Sequence, residues 1–175
     1  MFHREAELTL MDHHGRVPGR VEGILRDDPT APYGLRLAND RVDAAFPRNF
    51  ATRRQVVLVD ASDLARADAY RPLANPAQRT ALHARALADS DELVGRILRH
   101  VDLARDAVVV VAPFHSGRAR TLTVAAVHAP GVPAGFMESA TTRRSGFLQI
   151  VDVAPTVVAL TGLERPEAME GRTAE

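Results

Sequence analysis

Two uninterrupted apolar runs, residues 55–59 (QVVLV) and 107–112 (AVVVVA), stand out in a chain whose other apolar positions recur at helical spacing. Runs of β-branched residues without polar alternation predict strands buried on both faces of a parallel sheet. Between them lies the longest helical pattern. Asn75 supplies an N-cap and Pro76 the first helical position. Leu82, Ala86, Ser90, Leu93, Ile97 and Val101 then share one face, widened by Val94 and Leu98, and the pattern reaches His100. Asp89, Asp91 and Glu92 fall on the polar side, with His83 and His100 at the surface. A positive charge on His100 would suit the helix C-terminus. Residues 121–127 (TLTVAAV) predict another strand, closed by the Gly- and Pro-rich turn 128–135, and residues 147–150 a short extended stretch. Asp152 then caps a helix, VAPTVVALTG, with Pro155 in its first turn and Gly162 just past its end.

The first third is less regular. Residues 6–11 (AELTLM) predict a strand running into Asp12-His13-His14-Gly15. Two histidines beside an Asp suggest metal ligands, but adjacent side chains diverge, and a polar turn fits the same residues. Residues 15–37 are rich in Gly and Pro and predict one long irregular connection. Asn39 or Asp40 caps a short helix that places Val42, Ala45 and Phe46 on one face and is ended or kinked by Pro47. After 55–59, Ser62 or Asp63 caps a helix over LARADAY. Strands alternating with helices predict an α/β fold over residues 1–175, a mainly parallel β-sheet flanked by helices. In such sheets ligands bind beyond the carboxyl ends of strands, which singles out Asp60 and His115.

Charge and composition narrow the function. All 22 basic residues are Arg and 22 acidic residues balance them. With zero net charge no global field holds nucleic acid, so no nucleic-acid partner is expected. The absence of Cys excludes disulfides, thiolate catalysis and Cys-based zinc sites. No stretch approaches the roughly 20 apolar residues of a membrane span, and MFHREAELTL lacks a signal-peptide pattern. Phosphate-loop, dinucleotide and Gly-x-Ser-x-Gly motifs are missing.

Three segments resemble the alkaline phosphatase superfamily, which includes sulfatases and cofactor-independent phosphoglycerate mutases: ADSDELVGRILRHVDLARDAVVVVAPFHSG, LTVAAVHAPGVPAG and VDVAPTVVALTGLERPEAMEG. They cover residue 80 onwards. Nearer the start, ELTLMDHHGRVPG, DDPTAPYGLRL and VVLVDASDLARADAYR are similar to ectodomains of actinobacterial membrane proteins of that superfamily. The resemblance implies a partial alkaline-phosphatase-like fold, either as one domain or as the C-terminal half of a larger one. It implies placement on the extracytoplasmic face of a membrane. It further implies a two-metal site for zinc or manganese, with Asp60 and His115 as ligands and the nucleophile contributed by a missing N-terminal half. The motif is eroded: Phe114 stands where a metal-binding Asp belongs, Leu64 where a His belongs, and residues 138–145 contain no His. His128 lies before the turn and does not take that role. The expected function is therefore a catalytically degenerate binding or structural ectodomain. The alternative is a metal-dependent phosphate- or sulfate-ester hydrolase, with Arg143 or Arg144 on the oxyanion. A cut sheet leaves apolar surface to cover, which predicts a homodimer or pairing with the missing half.

Overall fold

A computed structural model of the chain describes residues 10–11, 14–17, 22–50, 55–112 and 122–175. It divides into two units, Met1–Val101 and Asp102–Glu175.

In the first unit the expected irregular connection is a hairpin: β1 (Leu25–Asp27) pairs antiparallel with β2 (Leu35–Leu37). Asp28 opens the turn, its carboxylate accepting from the Thr30 amide at 2.9 Å and hydroxyl at 2.6 Å. Tyr33 takes a left-handed backbone (φ 57°) before Gly34. Its hydroxyl donates to the Ala69 carbonyl at 2.9 Å, and its ring meets Tyr70 edge-on. The Gly and Pro residues thus mark the turn of a hairpin rather than a structureless loop.

Helix α1 (Asn39–Asn49) buries Val42, Ala45 and Phe46 as their spacing requires. It begins at Ala38 without a side-chain cap and continues through Pro47. So near the end, proline removes little of the helical ladder. Helix α2 (Asp63–Tyr70) follows, then α3 (Pro76–Leu98), where Asn75 and Gln78 form a full capping box. Leu93, at 1% exposure, forms the core with Leu37 and Val42, and Ile24, Leu25, Val59, Ala61 and Ile97 pack around it.

Residues 55–59 form no strand. Val59 packs on the core while Val56 and Leu58 are exposed. The run is a one-sided cover, because an apolar run records a demand for burial and not a pairing partner.

In the second unit β3 (Val108–Val111) pairs antiparallel with β4 (Ala125–His128), placing Val108 opposite His128 and Val111 opposite Ala125. A 3-10 turn (Ile150–Asp152) leads into α4 (Val153–Leu160). That helix ends with Gly162 in the left-handed region; the Gly162 amide bonds Ala159 at 2.9 Å and the Leu163 amide bonds Val158 at 3.3 Å. The tail returns to pair with residue 138: the Glu138 and Glu175 amides each donate to the other's carbonyl at 2.9 Å.

The expected mainly parallel sheet is therefore wrong. Among the described residues there are two sheets, each of two antiparallel strands. The expected strand at residues 6–11 lies almost wholly outside the described residues. Among those described, no helix is long and apolar enough to cross a membrane.

Candidate functional site

The second unit is built around a carboxylate. Asp152 is fully buried, at 0% exposure, and Ser139 and Thr156 are buried as well. Its Oδ1 accepts from the Thr141 hydroxyl at 2.6 Å and the Arg172 amide at 2.9 Å; Oδ2 accepts from the Gln149 amide at 3.0 Å. The sequence places Asp152 as a cap for α4, yet its side chain makes no bond to that helix. It ties three separate stretches together instead. Burial acts to raise its pKa, but the bonds from Thr141, the Arg172 and Gln149 amides and Ser139 outweigh it and hold the carboxyl below its ordinary value. Thr156 extends the clip, donating to the Asp152 carbonyl at 2.6 Å and accepting from the Ala174 amide at 2.9 Å.

The loop before Arg172 forms an open cleft of about 440 Å³ with Thr141, Gln149 and Val151. Arg165 staples that loop, one guanidinium nitrogen donating to the Met169 carbonyl at 3.0 Å and the Gly171 carbonyl at 2.9 Å. Gly171 has φ 83°, and a Cβ there would overlap the Val151 carbonyl. Only glycine lets the chain pass this close.

In the first unit the charges pair with one another. Arg26 and Arg36 stand opposite across the hairpin, a repulsive placement relieved by separate carboxylates: Asp40 for Arg26, Asp28 and Asp89 for Arg36. Arg85 donates to Asp28 at 2.9 Å and to the Thr30 hydroxyl at 2.7 Å. Asp63 accepts the Leu37 amide on both oxygens, at 3.0 and 3.2 Å, and pairs with the buried Arg66. It locks α2 to β2. His100 lies 2.7 Å from Asp43, which also meets Arg96 and Arg99 at 3.4 and 3.7 Å. The His100 bond is the largest of the effects that lower the Asp43 pKa. His100, exposed as expected, also pins the end of α3 to α1.

Of the residues singled out from sequence, the described ones, Asp60, His14, Arg143 and Arg144, take no part in the bonds of Asp152. Asp60 is exposed in the stretch before α2, not at a strand end. His115, Asp12 and His13 lie outside the described residues, and His14 is in an exposed turn. Arg143 adopts φ 52° in an exposed loop, and Arg144 sits 6.0 Å over the Phe147 ring. Among the described residues no group of three His, Asp or Glu side chains could hold zinc or manganese.

The chain is similar to the lysylphosphatidylglycerol biosynthesis bifunctional protein LysX of Mycolicibacterium vanbaalenii, with 35% identity over 106 residues. That is 58% of this chain and 10% of that protein, so the chain spans about a tenth of the relative's length. No family model and no solved structure matches. The resemblance to the alkaline phosphatase superfamily and its sulfatase-like members is thereby corrected. The named relative is of another kind, and antiparallel hairpins replace the parallel sheet.

Proposed function

We propose that this chain is a non-catalytic binding or structural module that works by surface contact. One observation carries the reading: the second unit buries polar side chains while several large apolar ones stay exposed. Ser139, Asp152 and Thr156 are buried, while Phe136 is 84%, Leu122 80% and Val124 71% exposed. We read these exposed apolar side chains as the contact surface. The buried carboxylates Asp63 and Asp152 are saturated by amide, hydroxyl and guanidinium donors, a structural use of charge. The ribbon strand Val108–Val111 carries no charge, so a second copy can face it without like-charge repulsion. The likeness to LysX reaches too little of that protein to bring its biosynthetic role to this chain.

The test has two parts. Light scattering on the purified chain should show a dimer that Val110→Arg converts to monomer. Hydrolysis of p-nitrophenyl phosphate and p-nitrophenyl sulfate, with zinc or manganese added, should stay at the buffer rate. Turnover that disappears in Asp60→Ala would overturn the reading in favour of an ester hydrolase. A strictly monomeric chain would remove the second copy as partner.

A further inference from the structure

We propose that β3 is an edge for strand addition, pairing antiparallel with β3 of a second copy so that the two ribbons join into one sheet. The proposal rests on the surface-contact reading above and names both the surface and the partner. The case begins with how the two antiparallel pairs treat their edges. Hydrogen-bonded residue pairs alternate along an antiparallel ladder, and the backbone groups of the pairs between them point outward. In the first unit the Ala38 amide donates to the Ile24 carbonyl at 2.8 Å, so Leu25 and Leu37 point outward. On each of these strands a charged side chain holds an outward group. The Arg41 guanidinium donates to the Leu25 carbonyl at 2.9 Å, and the Asp63 carboxylate accepts the Leu37 amide at 3.0 Å. Charges on an edge block the addition of another strand.

The ribbon of the second unit has no such closure. Its Ala112 amide donates to the Val124 carbonyl at 3.0 Å, so Val108 and Val110 bond inward to β4 and Val109 and Val111 point outward. Among the described residues nothing bonds those outward amides and carbonyls. β3 contains no charge, glycine or proline, and all its side chains are β-branched, which favours a strand. A ribbon of two strands is marginal alone and gains stability from further strands. A second copy fits because the edge is its own complement. A two-fold axis at Val110, perpendicular to the sheet, sets Val109 of each copy against Val111 of the other, and each pair exchanges both amide–carbonyl bonds. The same axis brings Val110 and Val124 of both copies onto one face, and these are the side chains left 42% and 71% exposed. The edge of β4 is the weaker one, because alanine has low strand propensity.

The experiment is disulfide cross-linking by air oxidation of the full chain, which has no Cys of its own, with single cysteines introduced. In this register Val110 faces Val110 of the second copy in a non-hydrogen-bonded pair, with Cα atoms about 4.5 Å apart and within disulfide reach. Val110→Cys should therefore form a covalent dimer about tenfold faster than Val109→Cys, Val111→Cys or Ala126→Cys. Val109→Pro removes an outward amide and no bond to β4, so it should abolish the dimer seen by light scattering while circular dichroism stays unchanged. A dimer that survives Val109→Pro, or cross-linking fastest at position 109, 111 or 126, would overturn the proposal and leave the surface-contact reading intact. A chain that stays monomeric and cross-links at none of these positions would overturn it too. Ester turnover lost in Asp60→Ala would count against the surface-contact reading alone and leave a cross-link at position 110 standing.

Discussion

At the scale of single residues, the decisive groups are Asp152 and Gly171. A carboxylate whose pKa is depressed by folding contributes stability above its unfolded pKa and loses it as pH falls through its folded one. Asp28, Asp43 and Asp152 are all held below the ordinary 3.8, so their contributions carry the same sign. Melting temperature should be flat from neutral pH to about 5 and fall progressively below that. In Asp152→Asn that fall should be shallower and the neutral-pH stability lower, because the amide cannot accept all three bonds. An unchanged acid slope in the variant would mean that Asp152 is not the titrating group. Gly171→Ala should be more damaging than an ordinary loop substitution. The left-handed backbone alone costs about 1–3 kcal/mol, and the overlap with the Val151 carbonyl adds to it. Denaturant unfolding measures this directly. Neither role was legible in the sequence. Asp before a helix reads as a cap, and Gly in a polar tail reads as a turn. What defines both residues is the return of the tail over residues 151–152, a contact between distant positions.

At the scale of elements, the helices and the strands within 107–112 and near 121–127 were legible, and the direction of strand pairing was not. The start of α3 was read from Asn75 and Pro76 and its core face from Ala86 and Leu93, because caps and the helical period are local signals. Asn75→Ala should cost about 1 kcal/mol by removing the bond to the Gln78 amide. Leu93→Ala should cost about 2–5 kcal/mol, since Leu93 sits at the centre of the first unit's core. A Leu93→Ala loss no larger than that of Asn75→Ala would show that α3 is held by its charged contacts instead. Strand direction, by contrast, is set by which segments meet, and an apolar run such as 107–112 is silent on that. The same run serves a buried parallel strand or an exposed antiparallel ribbon. The hairpin in residues 25–37 was hidden for a related reason: its strands have only three residues each, too few for a visible alternation. Asp60 became a candidate through an expected strand end, and the stretch that holds it forms no strand.

At the scale of the whole molecule, zero net charge and uncovered apolar side chains act together. The sequence pI is about 7.1, so near neutrality no net repulsion opposes contact between copies. Lowering the pH from 7 to 5.5 takes the chain to the acid side of that pI, where its net charge is positive. Sedimentation velocity should find self-association strongest near pH 7 and weaker at pH 5.5 in low salt. Added salt at pH 5.5 should restore it, because screening removes the repulsion but leaves the apolar contact intact. If the contact were built from ion pairs, salt at pH 7 would dissociate it instead. That outcome would shift the contact surface from the exposed side chains around Leu122, Val124 and Phe136 to the charged face of the first unit.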